Sequence, residues 1–196
     1  MKRASQLNRK TNETEISIDL NIEGTGKRNI DTPIGFLNHM LDLFAKHGLF
    51  NLNIKASGDT FIDDHHTVED LGIVLGSAFG KALGDKAGIN RYGFFILPMD
   101  EAVATVAIDF SGRYAFSFDC NFKREKVGNL STELIYDFWD AFAQNAKVNL
   151  YIKVENGRND HHKIEAIFKA SARAIRSACE LDKRAIFEIP STKGIL

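Results

Sequence analysis

The sequence predicts an α+β fold built from two copies of one half-domain, and three observations carry that prediction. The tetrad Asp64-His65-His66…Glu69 returns as Asp160-His161-His162…Glu165. The stretch Asn38 to Ala45 aligns with Tyr136 to Ala143, and Asn51-Leu52-Asn53-Ile54-Lys55 aligns with Asn149-Leu150-Tyr151-Ile152-Lys153. Apolar alternation of period two gives way to helical spacing in the same order in each half. His39 and Asp137 precede their asparagines by the same interval, and only the loop before the tetrad differs in length. The pattern is therefore a duplication and not an effect of composition. The halves divide as residues 1–90 and 91–196.

The elements follow in order. Glu15-Ile16-Ser17-Ile18-Asp19-Leu20-Asn21-Ile22 alternates as a half-buried strand, and Gly24-Thr25-Gly26 turns into a short second strand. Pro33 opens a helix carrying Phe36, Met40, Leu41, Leu43 and Phe44, which stops at His47-Gly48 with glycine as the expected C-cap. Asn51 to Ala56 is a strand. From about Asp63 to Leu83, the residues Val68, Leu71, Val74, Leu75, Phe79 and Leu83 keep helical spacing. The second half places strands near Phe94 to Leu97 and Ala102 to Phe110, then a helix, a strand, and a helix from Asp160 to about Ala178. The predicted order is strand-strand-helix-strand-helix, twice, with each small sheet covered on one face by helices.

Composition narrows the function classes. A chain of 196 residues with 44% hydrophobic content can bury a full core. A net charge of -1 supplies no general attraction to nucleic acid or an anionic membrane. Cys120 and Cys179 are too few for a disulfide framework and lack metal-ligand spacing, so a reducing cytoplasm is expected. Met1 to Lys10 is polar and basic without an apolar core, and no apolar run reaches spanning length.

The tetrads carry the chemistry. Imidazole with carboxylate is a ligand set for divalent transition metals. On a helix, His65 and Glu69 share a face, while His66 points roughly 100° away around the axis. One helix thus offers two ligands to one ion and a third to another. In a twofold-related pair of helices, His65, Glu69 and His162 would take the first ion, and His161, Glu165 and His66 the second. By the same symmetry Asp137 joins the first and His39 the second, within one subunit or across two. A single His-His pair at a helix start is ordinarily solvated or capping; two in register argue for metal. His47 reads as a cation or donor at a helix C-terminus. The order differs from the His-Glu-x-x-His of zinc proteases, and the strands are too many for a ferritin-like bundle.

A second signature is cationic. Arg91, Arg113, Lys169 and the tail Ser191-Thr192-Lys193-Gly194 offer guanidiniums, ammoniums and a hydroxyl suited to a phosphate monoester. Taken singly, each is an ordinary surface group. Lys169 lies one turn beyond Glu165, on the ligand face.

These residues, with Phe36-Leu37-Asn38-His39-Met40-Leu41, Asp63 to Gly72, Arg91-Tyr92-Gly93, Pro98-Met99-Asp100-Glu101-Ala102, Ser111-Gly112-Arg113 and Asn159 to Ala170, resemble the imidazoleglycerol-phosphate dehydratase family of histidine biosynthesis. The resemblance spans almost the whole chain. It implies dehydration of imidazole glycerol phosphate to imidazole acetol phosphate with two Mn2+ per active site and no organic cofactor. It also implies a homo-oligomer, a twenty-four-subunit shell of cubic symmetry with active sites at subunit contacts. His39, His65, His66, Glu69, His161, His162 and Glu165 would bind metal. Glu13, Arg91, Arg113, Lys169, Ser191 and Lys193 would contact substrate.

The chemistry accounts for those groups. The hydrogen removed sits on a carbon that no carbonyl acidifies, so the elimination needs another electron sink. An imidazolate held through both nitrogens by Lewis-acidic ions can expel the hydroxyl, leaving a diazafulvene-like intermediate. Glu13 is the first candidate to move the neighbouring proton, with Glu69 and Glu165 as alternatives. The phosphate contacts fix the far end of the substrate. The chain departs from the family pattern at Asp137, where many members carry a histidine ligand. A carboxylate there either ligates manganese or leaves the first ion short. Two other classes stand beside this one. A dinuclear phosphohydrolase expects bridging carboxylates with phosphate on the ions, and a metal-dependent assembly protein expects ions that only staple subunits.

Overall fold

A computed structural model describes residues 3–196. The first sheet contains β1 (Ala4–Lys10), β2 (Thr14–Asn21), β3 (Arg28–Asp31) and β4 (Asn51–Gly58), ordered β1-β2-β4-β3. The second contains β5 (Tyr92–Met99), β6 (Ala102–Asp109), β7 (Ala115–Asp119) and β10 (Asn149–Asn156), ordered β5-β6-β10-β7. In each, a hairpin is extended by an antiparallel strand that carries one parallel strand on its outer edge. The helices are α1 (Gly35–Gly48), α2 (His65–Leu83), α3 (Leu134–Ala146) and α4 (Asp160–Cys179). A short hairpin, β8 (Lys126–Val127) with β9 (Leu130–Ser131), occurs only in the second half.

Each four-stranded sheet thus has one strand more than the expected strand-strand-helix-strand-helix order, and the β8–β9 hairpin is a further addition to the second half. The strands added to the four-stranded sheets are β1, in the stretch read as a basic start, and β7. Both are edge strands. β1 buries only Ser5, with Leu7 half-buried, and β7 is five residues long with Phe116 and Phe118 half-buried against the core and no residue buried fully. Arg9 and Lys10 on the β1 edge also resist pairing with another chain. Inner strands alternate as expected: Ile16, Ile18 and Leu20 of β2 point inward, as do Leu52 and Ile54 of β4.

The sheets form the outer layers and the helices lie between them. Each late helix covers its own sheet, α2 on β1 and β2, and α4 on β5 and β6. The helix pairs mix the halves, however, because α2 packs on α3 and α1 on α4. The buried apolar residues form one continuous core. Trp139 lies at its centre, with ring centroids 5.0–6.0 Å from Phe44, Phe138, Phe142 and Phe168. The α2–α3 contact is close because Gly72 and Gly76 share a helical face. A Cβ at either would lie 2.4 Å from a carbonyl of Phe138 or Phe142.

Helix α1 stops at Gly48 as expected, but the glycine is not its left-handed cap. The left-handed residue is Leu49 (φ 57), and Lys147 (φ 53) ends α3 in the same way. Gly48 serves packing instead, since a Cβ there would lie 2.1 Å from the Phe50 ring. In the second half the smaller Val148 follows, and Ala146 fits. No helix of the described residues is long and apolar enough to cross a membrane.

Candidate active site

The two tetrads open α2 and α4, as their spacing predicts. Asp63 Oδ1 accepts from the His65 amide at 2.7 Å, and Asn159 Oδ1 accepts from the His161 amide at 3.0 Å. Side-chain acceptors thereby satisfy free N–H groups of each helix start and fix where the histidine pairs begin.

Packing of α1 on α4 brings His39 to the second tetrad. Glu165 Oε2 lies 3.1 Å from His161 Nε2 and 3.6 Å from His39 Nε2. The three ligand atoms all fall within 4.8 Å of one another. Two donors each about 2.1 Å from one ion stand roughly 3.0–3.5 Å apart at angles of 90–110°. This donor set therefore fits a divalent ion with little movement. Burial opposes charge on Glu165, which is 6% exposed. Lys169, whose Nζ lies 2.5 Å from Oε1, together with His161 and His39 outweighs that penalty and holds its pKa below the ordinary value.

Packing of α2 on α3 brings Asp137 to the first tetrad, but less completely. His65 Nε2 faces Glu69 Oε2 at 3.5 Å, while Asp137 Oδ2 lies 3.9 Å from the other ring nitrogen, Nδ1. Burial is the main cause pushing the Asp137 pKa up. The carboxylate is shorter than an imidazole at the same backbone position and stops beside the ring. Asp137→His is expected to raise manganese affinity at this cluster about tenfold, at the low end of what ligand adjustments change. Titration of free Mn2+ against both proteins measures it, and unchanged affinity would show that position 137 lies outside the coordination sphere.

The outer histidines of each pair face elsewhere. His66 Nδ1 lies 3.1 Å from Asp59 Oδ2 and 3.9 Å from Glu13 Oε2, and the Asp59 contact raises its pKa. His162 Nδ1 lies 2.7 Å from Glu101 Oε2, and Asp100 Oδ2 lies 3.5 Å from Nε2. That His162 bond, with backbone donors from the loop before α4, pulls the Glu101 pKa down to about 2. The sequence reading assigned no role to Asp59, Asp100 or Glu101. Glu101 was visible only inside a longer motif, and no local signal marked Asp59. His47 was read as a cation or donor at a helix end; burial, then Lys169 and Arg173, lower its pKa, which favours the donor role.

The phosphate candidates divide into two places. Lys169 belongs to the Glu165 cluster. Arg91 makes a forked pair with Asp109 (2.7 and 3.1 Å) and donates to the Pro190 carbonyl at 2.8 Å, which seats the tail bearing Ser191 and Lys193 beside it. Arg113 and Lys193 are exposed. Among the described residues, no hydrogen bond or ion pair links Arg91, Arg113, Ser191 or Lys193 to the His39–His161–Glu165 cluster.

Duplicated α+β architecture with histidine–carboxylate clusters at its helix junctions defines an enzyme scaffold whose site is assembled across the repeat. The family model for imidazoleglycerol-phosphate dehydratase matches residues 32–175. Over 194 residues the chain is 52% identical to the imidazoleglycerol-phosphate dehydratase of Rhodopirellula baltica, covering 99% of this chain and 96% of the relative. It is 54% identical to that of Acetivibrio thermocellus over 196 residues, the full length of both. The crystal structure of the Staphylococcus aureus dehydratase superposes with a TM-score of 0.83 at 41% identity, covering 91% of this chain and 99% of that one. The Pyrococcus furiosus structure gives 0.82 at 33%, covering 97% and 100%. The chain belongs to the imidazoleglycerol-phosphate dehydratase family, and so is a hydro-lyase of histidine biosynthesis.

Proposed function

We propose that this chain converts D-erythro-imidazole glycerol phosphate to imidazole acetol phosphate and water in the cytoplasm, using two Mn2+ per active site and no organic cofactor. The convergence of His39, His161 and Glu165 on one point, with Lys169 behind the carboxylate, is the observation that carries this reading. One ion falls to that cluster, and His65 and Glu69, with Asp137 nearby, hold the other. His66 and His162 face away from the clusters of their own chain, which supports completion of each site by a neighbouring subunit in a twenty-four-subunit cubic shell. The same arrangement would let Arg91, Arg113, Ser191 and Lys193 of one copy hold the phosphate of substrate bound at another.

Bound manganese supplies Lewis acidity toward the imidazole ring of the substrate. The chain's residues do the rest. The cations and Ser191 anchor the phosphate and limit the ring to one approach. Once the ring gives up its N–H proton it would expel the hydroxyl of its adjacent carbon, that proton leaving with the hydroxide as water and the ring remaining as a diazafulvene-like intermediate. A carboxylate takes the proton from the next carbon, and the resulting enol tautomerises to the ketone. Glu13 is favoured for that transfer, because its side chain is 54% exposed and its nearest ionic partner, His66, is 3.9 Å away. Glu165 is already engaged by Lys169 and two histidines. Glu69 remains a ligand candidate with the same half-open character.

Metal-stripped protein is expected to form no keto product until Mn2+ is added. Product from stripped protein, or none from folded, manganese-loaded protein, would overturn the reading. Loss of assembly on chelation with turnover unchanged would favour ions that only join subunits.

A further inference from the structure

Strand register shows which residues are repeat partners. Asn21 of β2 pairs with Asn51 of β4, and Asp109 of β6 pairs with Asn149 of β10. Counting back along β2 and β6 makes Glu13 the counterpart of Glu101. Counting forward along β4 and β10, with the bulge between Val154 and Asn156 adding one residue to β10, makes Gly58 the counterpart of Gly157 and Asp59 that of Arg158. Equivalent glutamates therefore stand beside equivalent histidines, His66 and His162, but at different distances: 3.9 Å for Glu13 and 2.7 Å for Glu101.

The difference traces to position 59. In the first half Asp59, with a side chain 12% exposed, places both carboxylate oxygens within 3.1–3.3 Å of His66 Nδ1, and its amide donates to the Glu13 carbonyl at 3.1 Å. In the second half the equivalent place is Arg158, which offers no carboxylate to the histidine. The glycine before it is kept in both halves: a Cβ on Gly58 would lie 2.1 Å from Thr67, and one on Gly157 would lie 2.8 Å from Lys163. Glu101 fills the role instead. Its Oε2 meets His162 Nδ1, and its Oε1 accepts from the amides of Arg158 (3.1 Å) and Asn159 (2.8 Å). Donors occupy both oxygens, so Glu101 is a brace and not itself a metal ligand, although Asp100, Glu101 and His162 lie close together.

We infer that Asp59 and Glu101 are positioning residues that perform one task from unrelated places in the repeat: each holds the outer histidine of its pair with Nδ1–H donated to the carboxylate and Nε2 turned away to ligate. Beside that Nε2 at His162 stand Asn159 Nδ2 and Asp100 Oδ2, each at 3.5 Å. Bracing by Asp59 releases Glu13 for proton transfer, while its repeat partner Glu101 is consumed by bracing. The duplication thus yields one free glutamate and one structural one. The inference rests on the proposed metal dependence. An anionic partner on the second nitrogen sets tautomer and ring orientation and raises ligand basicity.

Titration of free Mn2+ against the assembled protein tests it, with Glu101→Gln, Asp59→Asn and Glu13→Gln beside the parent chain. The two brace variants are expected to weaken manganese binding by about 10–100-fold. Their metal-free melting temperatures should stay near that of the parent, since each amide keeps an oxygen for the same donors. Glu13→Gln should bind manganese as the parent does. A parent chain that binds no manganese would overturn the metal reading and this inference with it. A parent that binds while both brace variants match it would overturn the inference alone. A lowered metal-free melting temperature with unchanged affinity would also overturn it, marking Glu101 as a loop cap only.

Discussion

Replacing Glu165 by glutamine is expected to lower turnover by roughly 10³-fold or more. This side chain is the meeting point of the best-formed cluster, touching His39 from one half and His161 and Lys169 from the other. The amide retains the shape but loses the charge that draws those groups together. Lewis-acid stabilisation is worth several kcal/mol, and about 1.4 kcal/mol corresponds to a tenfold rate change, which sets the expected size. Steady-state turnover at saturating Mn2+ measures it, with a thermal melt to show that the variant folds. A folded, manganese-saturated variant retaining more than a tenth of parental turnover would remove Glu165 from the site.

Trp139→Ala is expected to cost about 3–5 kcal/mol, the range for deleting a fully buried large aromatic. At about 2–4 °C per kcal/mol for a chain of this size, the melting temperature should fall by roughly 6–20 °C. Trp139 is wholly buried, and its ring contacts join α1, α3 and α4, so the cavity would open between the halves. Its Nε1 is buried without a hydrogen-bond partner. Trp139→Phe removes that unsatisfied donor and is expected to cost markedly less than the alanine change. Scanning calorimetry of the two variants checks both statements; an alanine variant melting within a few degrees of the parent would contradict the shared core.

Much of the candidate site was readable before folding because its signals are local. His65 with Glu69, and His161 with Glu165, are one helical turn apart, so helix geometry alone places each pair on one face. Repeat alignment also linked His39 to the second tetrad and Asp137 to the first, and the helix pairing brings them there. The edge strands β1 and β7 were not readable. β1 has only Leu7 as an apolar inward residue and β7 has only Phe116 and Phe118 over five residues, so each alternation is too short to stand out until the sheet is complete. Asp59 and Glu101 were hidden for a related reason, since each meets its histidine through the return of β4 or the turn between β5 and β6.

The sequence by itself determined the duplication, the helix-borne tetrads, the family and, through these, the reaction class. Those features are written in spacing and residue type along single elements. Tertiary structure alone decided that the two halves share one core, with α1 against α4 and α2 against α3. It also decided that Asp137 lies nearer Nδ1 of His65 than the nitrogen facing Glu69, and that Glu101 sits 2.7 Å from its histidine while its counterpart Glu13 sits 3.9 Å from His66. Each of these depends on a length or a steric limit across space: a carboxylate shorter than an imidazole, or a glycine whose Cβ has nowhere to go. Such limits become visible only when the chain has brought distant elements within a few ångströms of one another.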